Sequence, residues 1–383
     1  MGGLSPTVME PVPGSFGLHG AVPGSAARAP DPSLLFFHRF AVAAIRPLSM
    51  HGNTMCPIRR STFPSLNSNL NSQICLPHTV PNYMKRVVSV SLGTSKRDKK
   101  DEVEILGEKF LLERVGTDGD LAKFSQMFAD LDGKVAALGV GGADLYLSIG
   151  DRRYTFKQIK KLTSVAKTTP VVDGSGLKHT LERNAIRTLQ ADGTVDFTKE
   201  KVLLVSAVDR FGMAQALVES GAEVVFGDFM FNLGLGISLH RYSQVESLGK
   251  LILPIATNLP FKWFYPTGEK QEKRTPKFQK AFDEATFICG DWHLIRRYAP
   301  DALPGKTILT QTLRKADLDL LKQWKVARAI TTTPVIGGET FATNVMEGVV
   351  VALLGKRPEE LSEADYLDIL KRLDWKPNVI ELT

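Results

Sequence analysis

The stretch that decides the fold runs from Lys201 to Asp228 and reads KVLLVSAVDRFGMAQALVESGAEVVFGD. The apolar run Lys201–Val205 predicts a buried strand, and the small and polar residues after it predict a tight turn. Met213–Ser220 has apolar residues at helical spacing, and Gly221 separates this helix from a second apolar strand. The stretch is therefore predicted to be a strand–turn–helix–strand unit of a parallel sheet.

Such a unit is typical of dinucleotide-binding proteins, where N–H groups at the helix N-terminus hold the pyrophosphate. A carboxylate ending the second strand, about 20 residues on, then binds a ribose hydroxyl, and Asp228 has that spacing from Ser206. A carboxylate there favours NAD, while Gly227 and Arg241 leave NADP open. The predicted cofactor-binding residues are Ser206, Ala207, Arg210, Phe211, Gly212 and Asp228.

The turn departs from the usual GxGxxG pattern, because only Gly212 is present. Ser206 and Ala207 are small enough for close backbone approach, and the Arg210 guanidinium is suited to a phosphate. The alternative is an α/β crossover that binds nothing.

The composition is that of a globular protein with room for two ordinary domains: 383 residues, 43% hydrophobic and 23% charged. The net charge of +7 is spread thinly, which suits an anionic small molecule and does not indicate nucleic acid. No run reaches the roughly 18 apolar residues of a membrane span. Three cysteines without a CxxC pair, and no HExxH motif, indicate no metal site and a cytoplasmic protein.

Residues 1–83 differ from the rest, with 11 of the chain's 21 prolines and no lysine. Such a stretch buries too little apolar area to offset the entropy of ordering, so we expect it to be disordered. It is either an organelle transit peptide or a non-native extension upstream of a true start at Met84.

The remainder alternates strands and helices, which predicts an α/β fold with two α/β domains. We expect residues 84–180 to form the substrate domain, and residues 181–383 to form a Rossmann-like doubly wound parallel sheet with C-terminal helices. Within the second domain the pattern predicts a strand at Leu251–Ile255 and a helix at Thr343–Leu354.

The candidate catalytic residues are Asp173, in the turn Asp173–Gly176, and Lys178. A carboxylate beside an ammonium can orient a substrate hydroxyl and move its proton. The alternative role for Asp173 is helix capping.

Candidate substrate-binding residues follow predicted strands or begin a helix. Lys96 and Arg97 come after the first strand, at a position where open α/β sheets place ligand groups. Thr343 and Asn344 offer a hydroxyl and an amide at the start of a predicted helix, where an N-cap is the alternative.

The run Asp173–Gly176 resembles the Asn-Thr-Asp-Gly-x-Gly region of shikimate and quinate dehydrogenases. Residues 84–383 also resemble bacterial proteins labelled quinate 5-dehydrogenase, in the runs Ser91–Asp98, Gly141–Tyr146, Thr331–Pro334 and Thr343–Glu347. The resemblance implies NAD(P)-dependent oxidation of a hydroxyl compound, with Asp173 acting beside a lysine.

The motif that brings that family's catalytic lysine is absent, and its glycine-rich turn is Ser206-Ala207-Val208-Asp209 in this chain. Lys178 would therefore have to substitute. The prediction is an NAD(P)-dependent oxidoreductase for a polar, anionic hydroxy or keto compound, with a homodimer left open. The alternatives are a transferase that uses S-adenosylmethionine or another nucleotide, and a nucleotide-binding protein without chemistry.

Overall fold

The computed structural model describes residues 84–150, 152–260, 274–336 and 339–382. The predictions made for residues 1–83 lie outside this part of the chain. The described chain is an α/β protein with two largely parallel sheets, so the predicted fold class is confirmed.

The first sheet has five strands in the order β2-β3-β1-β4-β7. Strands β3, β1, β4 and β7 are parallel, and β2 pairs with β3 as an antiparallel hairpin. The hairpin turns at Leu106 and Gly107, which both have positive φ, as a two-residue turn of this kind requires. The strands of this sheet are β1 Lys85–Ser91, β2 Lys99–Ile105, β3 Glu108–Gly116, β4 Ala137–Gly141 and β7 Val171–Val172. A small hairpin, β5 Tyr146–Ile149 and β6 Arg152–Thr155, lies between β4 and β7 in the chain.

The second sheet has six strands in the order β15-β12-β11-β10-β8-β9. All neighbours are parallel except β15, which is antiparallel to β12. Read from β9, the parallel strands follow the doubly wound order 2-1-3-4-5, whose switch point lies between β8 and β10. The strands of this sheet are β8 Lys201–Leu204, β9 Glu223–Phe226, β10 Phe287–Cys289, β11 Thr307–Thr310, β12 Arg328–Thr331 and β15 Asn378–Glu381. A separate short pair, β13 Val335–Ile336 and β14 Glu339–Thr340, lies between β12 and β15 in the chain.

Ten α-helices are found in the described residues, and the predicted helix at Thr343–Leu354 is confirmed. They are α1 Leu121–Leu131, α2 Lys157–Thr163, α3 Ser175–Ala191, α4 Phe211–Glu219, α5 Tyr242–Ala256, α6 Gln279–Glu284, α7 Trp292–Tyr298, α8 Lys315–Gln323, α9 Thr343–Leu354 and α10 Glu363–Arg372. None of the helices in these ranges is long and apolar enough to cross a membrane.

The predicted strand at Leu251–Ile255 is wrong, because these residues form the last turns of α5. The apolar run resembles a buried strand, but the buried residues of α5 recur at helical spacing: Val245, Leu248, Gly249, Leu253 and Ala256. A short apolar run does not distinguish a strand from a helix by periodicity alone.

One of three apolar clusters in the described residues spans both sheets, and each sheet also has a cluster of its own. A single apolar cluster contains Val88 and Val90 of β1 together with Val202 and Leu204 of β8. Helix α9 follows the second sheet in the chain but packs on the first, where Gly348 lies close to Val87. The chain therefore crosses between the sheets both at α3 and again at α9.

Candidate functional site

The loops at the carboxyl ends of the two sheets meet at Lys178. Helix α3 begins directly after β7 of the first sheet and carries Lys178 in its first turns. The Lys178 Nζ lies 3.5 Å from Oδ2 of Asp209, which belongs to the turn after β8 of the second sheet. The two side chains are 12% and 27% exposed, so the pair is accessible from solvent.

The charges around this pair keep it ionised. Burial alone would lower the pKa of Lys178, but the carboxylates of Asp209, Asp144 and Glu182 outweigh burial and raise that pKa. Burial would raise the pKa of Asp209, but Lys178 and Arg210 outweigh it and lower that pKa. Asp144 follows β4, so loops from both sheets act on one ammonium group.

Beside this pair, Arg210 is buried at the switch point of the second sheet. Its guanidinium binds the carboxylate of Glu182 from α3, lies 3.2 Å from Asp291 and lies 3.7 Å from Asp209. Arg210 is 2% exposed and Glu182 is fully buried. Burial alone would lower the pKa of Arg210, but the three carboxylates outweigh burial and raise that pKa, so Arg210 stays charged. Gln311, in the loop after β11, donates a hydrogen bond of 3.1 Å to Glu182.

Unpaired polar atoms are concentrated at the same edge of the sheet. Among the described residues, half of the buried side-chain polar atoms without a hydrogen bond belong to Glu182 of α3 or to residues at or just after the ends of β8, β9 and β12. They are Glu182 Oε2, Asp209 Oδ1, Arg210 Nε, Asp228 Oδ2, Thr331 Oγ1 and Thr332 Oγ1. Such a concentration calls for ordered water or a bound ligand.

Asp228 does not occupy the position that a ribose contact requires. Its Oδ1 accepts hydrogen bonds from the N–H groups of Ala207 at 3.0 Å and Val208 at 2.9 Å. The residue is 3% exposed, and burial raises its pKa to about 7. The chain enters the π-helical turn Asp228–Asn232 directly after Gly227, and this turn directs the carboxylate inward. Asp228 thus closes the turn after β8 instead of facing a cleft.

The other predicted cofactor residues also have structural contacts. The Ser206 hydroxyl accepts a hydrogen bond from Asn232 at 3.0 Å, and Phe211 packs on Tyr242 with ring centroids 4.8 Å apart. A Cβ on Gly212 would lie 2.7 Å from the carbonyl oxygen of His179, so Gly212 allows α4 to approach α3. The predicted phosphate contact of Arg210 does not fit this geometry, because carboxylates already hold its guanidinium.

The predicted pairing of Asp173 with Lys178 is not formed. Asp173 Oδ2 accepts from the N–H groups of Leu145 at 2.7 Å and Tyr146 at 2.8 Å, and Oδ1 accepts from Ser175 at 3.0 Å. These bonds join the loop after β4 to the start of α3. Asp173 is therefore held by backbone N–H groups beside the start of α3, whose N-cap is Gly174, and the carboxylate partner of Lys178 is Asp209.

The predicted substrate residues do not converge on the Lys178–Asp209 pair. Asn344 is buried, and its amide donates to Ser89 at 2.7 Å and to the Val140 carbonyl at 2.9 Å, so it supports the first sheet. Thr343 is partly exposed at the start of α9. Lys96 is exposed and Arg97 partly exposed in a short 3-10 turn after β1.

Sequence reasoning missed four residues of the site: Glu182, Asp209, Asp291 and Gln311. Two signals point to them. Asp209, Asp291 and Gln311 each follow a strand closely, as ligand groups do in open α/β sheets. Glu182 stands four residues after Lys178, so both lie on one face of α3. Within the described ranges, no group of histidine, cysteine and acidic side chains could hold a metal ion.

Comparison with known proteins gives families without an assigned activity. A model described as "Domain of unknown function (DUF8754)" matches residues 176–382, and one described as "Domain of unknown function (DUF8753)" matches residues 86–173. No curated protein matches the chain.

Solved structures match over most of the chain at low similarity. A sugar ABC transport substrate-binding protein from Bordetella parapertussis 12822 has 10% identity and a TM-score of 0.32, with 78% of this chain and 89% of that chain covered. The arabinose binding protein AraP from Geobacillus stearothermophilus has 11% identity and a TM-score of 0.33, with 78% and 97% covered. An NAD-dependent malic enzyme from Thermotoga maritima has 12% identity and a TM-score of 0.31, with 76% and 84% covered. At these scores the likeness gives no basis for a functional assignment.

Proposed function

The chain belongs to the family described as Domain of unknown function (DUF8754), and from the geometry of its Lys178–Asp209 pair we propose that it is an enzyme acting on the hydroxyl or carbonyl group of a small polar molecule. NAD(P)-dependent oxidoreduction is the specific reaction that we propose. The observation that carries the proposal is the Lys178–Asp209 pair, which brings an ammonium and a carboxylate from the two sheets to within 3.5 Å.

This pair can perform the proton transfer that alcohol–carbonyl interconversion needs. The Lys178 ammonium would donate a hydrogen bond to the substrate oxygen and hold it in place. As the hydroxyl loses its proton, the Asp209 carboxylate would accept it directly, while Lys178 stays an ammonium that donates to the same substrate oxygen. Because Asp209 and Arg210 are adjacent, the buried Arg210–Glu182 contact would fix the position of this carboxylate.

The local charge favours a neutral, hydroxylated substrate over the anionic one that the sequence predicts. Two cations, Lys178 and Arg210, face the carboxylates of Asp209, Asp291 and Glu182, and the charge of Asp144 also acts on Lys178. The net charge of +7 belongs to the whole chain and is not concentrated around the Lys178–Asp209 pair. Hydroxyl groups can both donate to these carboxylates and accept from Lys178.

NAD(P) would supply the hydride acceptor when bound, and the turn after β8 fits it only in part. The N-terminus of α4 at the sheet's switch point fits a diphosphate. Arg210 and Asp228 do not fit the contacts predicted for them, because both are engaged within the protein. Support for the cofactor therefore rests on the strand order and on α4.

The test combines cofactor binding with turnover. We expect NADH fluorescence to show saturable binding to the full chain, whereas S-adenosylmethionine should not raise the melting temperature. In a hydride-transfer assay over a panel of polyols and hydroxy acids, Lys178→Met should lower the rate at least about 100-fold. Lys161→Met, an exposed lysine on α2, is the matched control and should leave the rate unchanged.

A second candidate function is ligand binding without chemistry. It is favoured by the buried Arg210, Glu182 and Asp291 side chains, which fill the switch point where a cofactor would enter. Saturable binding of a compound of the panel, with neither NADH binding nor hydride transfer, would support this candidate over the enzyme.

A further inference from the structure

A cavity lies at the amino ends of β1 and β4, whereas the Lys178–Asp209 pair lies at the carboxyl ends of the strands. Its volume is about 550 Å³, and the residues around it come from β1, the α1–β4 connection, the residue before β7 and the end of α9. Five of the twelve residues are basic and none is acidic: Lys85, Arg86, Lys134, Lys356 and Arg357. We call this cavity the basic groove.

Three of the five cations are held in fixed positions. Lys85 Nζ donates to the Ala352 carbonyl at 2.9 Å, and Arg86 donates twice to Glu113, at 2.6 and 3.2 Å. Lys356 donates to Asp365 at 2.6 Å. Cations that are already oriented lose little conformational entropy when an anion binds. Little of their contribution to affinity is therefore lost to the ordering of side chains.

The other two cations lack a carboxylate partner. Lys134 and Arg357 are exposed, and neither forms an ion pair with any described residue. Two acidic residues follow Arg357 closely, Glu359 and Glu360, and Glu360 accepts from the backbone N–H of Arg357 at 2.8 Å. Like charges gathered around one cavity repel each other, and a bound anion would relieve this repulsion.

The floor of the basic groove is apolar. Val135, Ala136, Pro170 and Val351 line it between the cations. A volume of this size is in the range of small-molecule sites, so the groove has room for an organic body as well as its charged group.

We propose that the basic groove binds a multivalent oxyanion of the phosphate class carried on a small organic molecule. Arg357 and Lys134 offer a guanidinium and an ammonium without a carboxylate partner among the described residues, and the paired cations Arg86, Lys85 and Lys356 surround them. The site is separate from the proposed active site, so it stands or falls independently of the proposed oxidoreductase activity.

The test is isothermal titration of the full chain with sodium tripolyphosphate and with ATP. We expect one saturable site for each, with affinity that falls as salt is raised. The double variant Lys134→Ala/Arg357→Ala should weaken both at least about 10-fold, since two charge-assisted contacts are removed. The control Lys123→Ala/Lys322→Ala removes the same charge from exposed positions outside the groove and should change affinity less than about 2-fold.

Three results would overturn the proposal. The first is the absence of saturable binding by either probe. The second is equal weakening by the two double variants, which would mean that overall charge and not the groove holds the anion. The third is binding to phosphatidylserine vesicles with no affinity for soluble tripolyphosphate or ATP, which would identify a membrane surface instead.

Discussion

Arg210 shows how one residue type supports two opposite interpretations. In the sequence it stands in a turn between a strand and a helix, where a guanidinium suits a phosphate. In the structure Glu182, which is 28 positions earlier in the chain, accepts from Nη1 of Arg210, and Asp291 accepts from Nη2. No local pattern reports that contact, because it depends on how α3 packs on the second sheet.

The buried contact between Arg210 and Glu182 gives a stability prediction. Glu182→Gln removes the charge that compensates a guanidinium only 2% exposed, so the free energy of unfolding should fall by about 3–5 kcal/mol. Urea denaturation measures this change. Arg187→Ala is the control, because its pair with Glu219 is about half exposed on both sides and should cost less than about 1 kcal/mol. Equal losses in the two variants would contradict the buried network.

Asp228 gives a prediction about pH. Its pKa is about 7 in the folded protein and 3.8 ordinarily, so the folded state binds this proton more tightly than the unfolded state. Between about pH 4 and 7 the contribution of Asp228 to the free energy of unfolding therefore falls as pH rises. Asp228→Asn removes that loss, so its stability relative to wild type should rise by about 1.4 kcal/mol per pH unit between pH 5 and 7.

Asp132 is the control for this pH dependence. Backbone N–H groups of Thr169 and Lys167 lower the pKa of Asp132 to about 2. Its contribution to the free energy of unfolding is therefore fully present at pH values above its ordinary pKa of 3.8. The stability difference between Asp132→Asn and wild type should stay constant from pH 5 to 7. A flat difference for Asp228→Asn as well would show that this carboxylate is not buried as described.

At the scale of elements, the position of α4 depends on its contact with α3. Lys178 lies on α3, Asp209 stands in the turn that leads into α4, and Gly212 permits the two helices to approach. Sequence patterns predicted the strand–turn–helix–strand unit within about one residue at each end. They could not show which helix α4 packs against, because that partner lies outside the unit.

Gly212→Ala tests this contact. The added Cβ would lie 2.7 Å from the His179 carbonyl oxygen, so the helices must separate, and the free energy of unfolding should fall by about 1–3 kcal/mol. Gly236→Ala is the matched control, since a Cβ there would meet no atom within 4 Å and its φ is not positive. Chemical denaturation of both variants measures the difference, and a neutral Gly212→Ala would contradict the close helix contact.

At the scale of the whole molecule, the two sheets are expected to unfold together. One apolar cluster includes residues of both β1 and β8, and α9 returns from the second sheet to pack on the first. Calorimetry of the full chain should therefore show one transition, with calorimetric and van't Hoff enthalpies in agreement. Two resolved transitions would mean that the sheets are independent domains.

The sequence predicted much of the architecture and little of the site. Strand and helix periodicity, with glycine at the turns, was enough for two α/β sheets and for the order of most elements. Lys178 was identified, but its partner was taken to be Asp173, five residues away, because a nearby carboxylate in a turn is visible in the sequence. Asp209 belongs to the other sheet and reaches Lys178 only after folding.

The most direct test of the central claim compares hydride transfer by Asp209→Asn and Asp173→Asn, followed at 340 nm and expressed per folded molecule. With the Lys178–Asp209 pair as the proton-transfer group, Asp209→Asn should lose at least about 100-fold in rate. Asp173→Asn should keep most of its rate, because Asp173 bonds only to backbone N–H groups. Loss of activity in Asp173→Asn with full activity in Asp209→Asn would contradict the account.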